Sequence, residues 1–110
     1  MPVYNKLVRD RIIEIIECSG KNYSSRVLIR DTDYAASLEE KLREEVEEFL
    51  EDPCAEEAAD ILEVLECLMH HHKISQIETA QAKEIKKAEK GSFRHRVFLV
   101  EVEEWNQSLD

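Results

Sequence analysis

The sequence predicts a mainly α-helical chain, and three observations carry that expectation. Only two glycines and two prolines interrupt 110 residues, of which 36% are charged. Apolar residues recur at helical spacing through the middle of the chain. Helix-start signals stand ahead of these runs. A chain of this length is expected to form one domain, residues 1–110, burying roughly two thirds of its extended surface.

The first helix is expected over Val8 to Cys18, where Ile12, Ile13, Ile15 and Ile16 supply the apolar side, ending near Ser19-Gly20. Asn22 to Arg30 is less helical, and Arg26-Val27-Leu28-Ile29 reads as a short strand or an extended arm near 26–30. Asp33 or Ser37 can cap the second helix, Ser37 and Glu40 forming a capping box. Its stripe is Leu38, Leu42, Val46, Phe49 and Leu50. Asp52 followed by Pro53 reads as the N-cap and first residue of a third helix, where proline's missing N–H costs nothing. Ala58, Ile61, Leu62, Leu65, Leu68 and Met69 would face inward from it. Ser75 and Glu78 form a second capping box, opening a helix that runs to about Lys90 and stops at Gly91. Val97, Phe98, Leu99 and Val100 come as a run, read as a short strand or extended tail near 96–102.

The formal charge of -10 is a local feature. Leu38 to Glu66 holds 13 acids against Lys41 and Arg43, a net of -11, and the remaining residues carry 12 acids against 13 bases. The acidic balance argues against nonspecific nucleic-acid binding. It is compatible with a phosphorylated ligand held through a divalent cation. No apolar run approaches the ~20 residues that cross a bilayer, so no membrane association is expected. The first residues lack the apolar core of a signal peptide. Cys18, Cys54 and Cys67 form no CxxC pattern, which suits reduced thiols and a cytoplasmic location.

Within the acidic stretch, Glu45/Glu48 and Glu57/Asp60 are i, i+3 pairs, neighbours on one helix face. If the chain reverses at Asp52-Pro53, positions summing to 105 share a level, so Glu45 faces Asp60 and Glu48 faces Glu57. On a helical wheel Glu45 and Glu57 lie roughly 70–80° from their stripes, and Glu48 and Asp60 roughly 130–140°. All four turn in the same sense, so they can meet beside the apolar seam while staying wet. Clustered carboxylates repel, and an oxygen-only ligand set with room for water suits Mg²⁺ or Mn²⁺ rather than zinc. The plain alternative is a solvated acidic face, the reading given to Glu47, Glu51, Glu56, Glu63 and Glu66.

Two basic clusters complement the acids: Lys6, Arg9 and Arg11, and Lys83, Lys86, Lys87, Lys90, Arg94 and Arg96. Lys87, Lys90 and Arg94 can hold phosphate oxygens or merely neutralise the acids. His70, His71 and His72 point about 100° apart and cannot share one metal; a helix C-terminus favours them when cationic. Trp105 and Tyr4 can stack on a base, or can serve packing or a subunit contact. No Gly-rich phosphate loop, Ser-His-Asp set or nucleic-acid motif is present.

Glu44-Glu45-Val46-Glu47-Glu48 followed by Glu57-Ala58-Ala59-Asp60 resembles the EExxE…ExxD signature of the MazG-like, all-α nucleoside triphosphate pyrophosphatase superfamily. The opening Tyr4-Asn5-Lys6-Leu7-Val8-Arg9-Asp10-Arg11-Ile12 and the closing Gly91-Ser92-Phe93-Arg94-His95-Arg96-Val97-Phe98-Leu99 resemble its compact phosphoribosyl-ATP pyrophosphohydrolase-like branch. The resemblance implies an antiparallel helical bundle that assembles as a homodimer or homotetramer. It implies a hydrolase acting on phosphoanhydride bonds, with Mg²⁺-dependent cleavage of an NTP or dNTP to monophosphate and pyrophosphate in nucleotide-pool house-cleaning. The family's metal ligands fall on Glu45, Glu48, Glu57 and Asp60, and Glu44 falls on a supporting or water-orienting catalytic position beside Glu45. Lys6, Arg9, Lys87, Lys90 and Arg94 would bind the triphosphate. Two alternatives stand beside this: a phosphoribosyl-ATP pyrophosphohydrolase of histidine biosynthesis, and a non-catalytic helical module that binds nucleotide or protein.

Overall fold

Four helices and no strands make up the protein, in a computed structural model that describes residues 1–110. They are α1 (Ile12–Cys18), α2 (Asp31–Glu51), α3 (Ala55–His71) and α4 (Gln76–Lys90). The chain divides into two compact units, Met1–Lys73 and Ile74–Asp110.

In the first unit, α1 begins later than the sequence predicts. Residues 9–11 form a turn, closed by the Ile12 N–H on the Arg9 carbonyl at 3.0 Å, so Val8 stays outside the helix. Its end falls where expected: Gly20 takes φ 75°, a conformation that only glycine adopts without strain, and bonds the Glu17 carbonyl. Helix α2 begins before both predicted caps. Asp31 and Asp33 lie in its first turn, where acids offset the helix dipole, and Ser37 lies inside the helix rather than at its cap. The added turn carries Tyr34 onto the core beside Leu38.

The α2–α3 connection also differs from expectation. Asp52 closes α2, its N–H on the Glu48 carbonyl at 3.0 Å, and Cys54 is the N-cap of α3. Proline disfavours helical geometry in the residue before it, so Asp52 takes φ -139°, ψ 77° and Pro53 lies in the connection. The three-residue link holds α2 and α3 antiparallel: Leu38 packs with Val64 and Leu68, while Glu45 meets Glu57 and Asp60.

The core is small. Leu38 (2% exposed), Val64 and Leu68 are its buried apolar residues, with Leu7, Tyr34, Leu42 and Cys67 packed against them. The inward face of α3 is therefore rotated from the predicted stripe: Val64 goes in, while Leu62 and Leu65 stay exposed. On α2, Val46 and Leu50 are likewise exposed. At the end of α3, the His71 ring meets Tyr34 edge-on, with centroids 5.7 Å apart.

In the second unit the Ser75 half of the predicted capping box forms. The Ser75 side chain accepts the Glu78 N–H at 3.0 Å, and α4 runs to Lys90 before Gly91 at φ 84°. No residue of this unit is buried.

Neither segment read as a short strand, 26–30 or 96–102, forms one. Their β-branched and aromatic content favours extended backbone, but a strand exists only with a neighbouring strand to take its N–H and C=O groups. The second segment is also interrupted at its start by Arg96, at φ 59°.

Candidate metal centre

Three of the four predicted carboxylates, Glu45, Glu57 and Asp60, come together toward the turn of the α2–α3 hairpin, while Glu48 groups with Glu44 and Glu45 instead. One oxygen each from Glu45, Glu57 and Asp60 lie within 4.8 Å of one another, and the same holds for Glu44, Glu45 and Glu48. Glu45 belongs to both groups and so joins the acids of the two helices. The spacing explains this: Glu45 lies seven residues after Leu38, and Asp60 and Glu57 lie four and seven before Val64. Seven residues are nearly two helical turns, so the acids share the face that carries the core.

That position corrects one expectation. The acids were placed beside the seam, in contact with water, yet Glu45 is only 5% exposed. The rotation of α3 that buries Val64 also draws Glu57 and Asp60 toward the seam. A signal for it lay in the sequence: Tyr34, Leu38, Leu42 and Glu45 follow helical spacing, but an acid at a core position looks like the edge of the stripe.

Each carboxylate has a distinct environment. Glu44 accepts from Lys6 Nζ at 2.9 Å and lies 3.6 Å from Lys41 Nζ. The Lys6 hydrogen bond, aided by the attraction of Lys41, holds the Glu44 carboxyl below its usual range. Glu45 Oε1 pairs with Lys41 Nζ at 3.1 Å, but its Oε2 is buried with no hydrogen-bond partner. Glu57 Oε2 is also shielded and unpartnered, and its loss of hydration, with repulsion from Asp60 and Glu45, pushes its carboxyl up. Glu48 is pushed up by Glu45, which would accept a hydrogen bond from the protonated Glu48 carboxyl and repels the ionised one. Asp60 Oδ1 accepts from Arg9 Nη2 at 2.7 Å.

Unpaired buried carboxylate oxygens are costly, and a bound cation is one way to relieve them. The charges agree. Five carboxylates (Glu44, Glu45, Glu48, Glu57 and Asp60) face three cations (Lys6, Arg9 and Lys41), leaving two negative charges, the complement of one divalent ion. Oxygens sharing one Mg²⁺ lie about 3–4 Å apart, because each Mg–O bond is about 2.0–2.1 Å. Separations of up to 4.8 Å come within that range with small side-chain shifts. The donor set thus fits a hard divalent cation.

The other predicted residues divide. Lys6 and Arg9 reach the acids directly. Lys87, Lys90 and Arg94 belong to the second unit: Lys87 and Lys90 lie in the last turn of α4, Lys90 Nζ donates to the Asp110 carbonyl at 2.7 Å, and the Arg94 N–H approaches Ser92 Oγ at 3.4 Å. Sequence reasoning missed Lys41, which stands one turn before Glu45 and pairs with both Glu44 and Glu45. An i, i+4 Lys-Glu pair was the available signal. All three cysteines are free, and burial pushes the Cys67 thiol up, away from the reactive thiolate. No helix is long and apolar enough to cross a membrane. No family model, curated protein or solved structure matches the chain.

Proposed function

We propose that the protein is a Mg²⁺-dependent nucleoside triphosphate pyrophosphohydrolase of the MazG-like kind, converting an NTP or dNTP to the monophosphate and pyrophosphate in nucleotide-pool house-cleaning. One observation carries the reading: the buried, unpartnered Glu45 oxygen among acids of two helices, with Lys6 and Arg9 at the rim. A carboxylate cluster alone could be a solvated face. An acid turned into the seam without a partner points to a cation.

Glu45, Glu48, Glu57 and Asp60 would hold Mg²⁺, with Mn²⁺ as a substitute. The ion would supply charge neutralisation for the polyphosphate and polarise its phosphoryl oxygens. Glu44, kept ionised by Lys6 and Lys41, is suited to accept a hydrogen bond from the attacking water and orient it. Its depressed proton affinity makes it the weaker base. Glu48 and Glu57 have the greater affinity for a proton in the ion-free protein. Lys6 and Arg9 would bond phosphate oxygens and the departing pyrophosphate. Exposed Ile77, Ile85, Phe93, Phe98 and Trp105 support assembly as a homodimer or homotetramer, because such apolar surface favours a partner.

The decisive experiment is a pyrophosphate-release screen over canonical, deaminated and oxidised NTPs and dNTPs in Mg²⁺. Release from at least one nucleotide, abolished by EDTA, is expected. No release from any member, with metal binding intact, would favour a nucleotide-binding module instead.

A further inference from the structure

We infer that Lys6 and Arg9 make this centre select a divalent cation already carrying a polyphosphate over the bare cation. The inference rests on the metal-centre reading above and concerns what the N-terminal arm adds to it.

The three cations that neutralise the acids are not alike. Lys41 lies on α2 with the acids it serves, its side chain is only 18% exposed, and it reaches Glu44 and Glu45 together. It is a fixed part of the cluster. Lys6 and Arg9 sit on the arm before α1, and their side chains are 42% and 58% exposed. Leu7 packs against the core between them and fastens the arm. Each long side chain can therefore leave its carboxylate without unfolding anything, and little hydration is lost in either position.

The two ties fall on different helices. Lys6 holds Glu44 of α2, and Arg9 holds Asp60 of α3. Asp60 is one of the acids a cation needs, so a bare ion must either displace the Arg9 guanidinium from Oδ1 or bind the other oxygen with that cation close beside it. Like charges at that range repel, and either course opposes binding. A cation bearing a polyphosphate brings new acceptors with it. The released guanidinium can take phosphate oxygens with two parallel N–H bonds, and the Lys6 ammonium can follow as a point charge. The same two side chains thus hinder the bare ion and favour the complex. Arg9 and Lys6 are specificity residues in this scheme.

The test compares dissociation constants for bare Mn²⁺, from the free-ion paramagnetic resonance signal, with those for preformed Mn²⁺–tripolyphosphate, from calorimetry. Wild type is expected to prefer the complex. Arg9→Gln is expected to bind bare Mn²⁺ about threefold more tightly and the complex about threefold more weakly, the scale of one exposed ion pair each. The preference then falls by about tenfold. Lys6→Ala should move both constants the same way by less, and Lys21→Ala should move neither. Circular dichroism checks each fold, and if Arg9→Gln does not fold, Lys6→Ala decides. Unchanged or weaker Mn²⁺ binding by Arg9→Gln, beside a wild type that binds Mn²⁺, overturns this inference and leaves the metal centre standing. No Mn²⁺ binding by wild type or variants overturns the centre itself, and this inference with it.

Discussion

The two ends of the α2–α3 seam use equivalent positions for opposite purposes. Near the start of α2, Leu38 meets Val64 and Leu68 in a small dry core. Two turns on, the same face presents Glu45, opposite Glu57 and Asp60. Backbone geometry is shared, so the contrast isolates side-chain chemistry. Apolar contacts at one end hold the helices together, and that closeness forces carboxylates together at the other. Repulsion the acids would otherwise relieve by moving apart is kept in place by the core.

Several measurements can break or sharpen this contrast. Leu38→Ala attacks the anchoring end, and removing so buried a leucine should lower stability by about 3 kcal/mol. Urea unfolding monitored by circular dichroism would read it; a change below about 1 kcal/mol would mean the hairpin is held elsewhere. At the acidic end, Glu48→Gln and Asp60→Asn should reduce pyrophosphate release by about 100-fold or more, since even outer-shell partners of a metal are worth about 10–100-fold. Both variants should remain folded. Wild-type release by either would refute the ligand assignment.

Saturating Mg²⁺ at about 100 times its Kd should stabilise the wild type by about 2.7 kcal/mol, visible as a rise in Tm. Glu45→Leu inverts the logic. Replacing the buried acid with an apolar side chain removes an unpartnered oxygen and the repulsion of Glu48 and Glu57, while Lys41 keeps Glu44, so metal-free stability should rise by about 1 kcal/mol. The same variant should lose the Mg²⁺-dependent rise. A Tm below wild type without metal would show that the Glu45–Lys41 pair stabilises the fold more than the unpartnered oxygen destabilises it.

The smallest expected effect is on pH dependence. Glu48 and Glu57 have raised carboxyls in the folded state, so each adds stability that is full below the ordinary Glu value of about 4.3 and lost as pH rises through its folded value. Glu44 has the opposite sign: its contribution is present above the ordinary value and lost as pH falls through the depressed one. Metal-free protein should therefore gain stability as pH falls from neutrality toward about 4.3, and lose the Glu44 contribution below it. Mg²⁺ should abolish the gain, because it relieves the repulsion that produces it. Melting curves across pH, with EDTA or Mg²⁺, would decide; an identical profile in both would separate the raised carboxyls from any metal.

Local signals in the chain were the most legible. The Ser75 N-cap, the stop at Gly91 and the Gly20 terminus of α1 each depend on a few neighbouring residues, and each forms as expected. Where neighbours compete, sequence signals misled. Ser37 has a capping pattern, but Tyr34 is drawn into the core and the helix starts earlier. Asp52 is shaped by Pro53 after it rather than by the helix that follows. The segments at 26–30 and 96–102 have strand composition, but pairing depends on remote partners.

Sequence by itself determined which acids share a helix face and that the chain turns between Glu48 and Glu57, because both follow from spacing along the backbone. Only tertiary structure decided how α3 rotates against α2. That rotation puts Val64 rather than Leu62 or Leu65 into the core, buries Glu45, and leaves an oxygen on each of Glu45 and Glu57 without a partner. Periodicity gives an approximate direction for a face. Burial of an individual atom depends on how two faces interlock, which is a property of the packed pair.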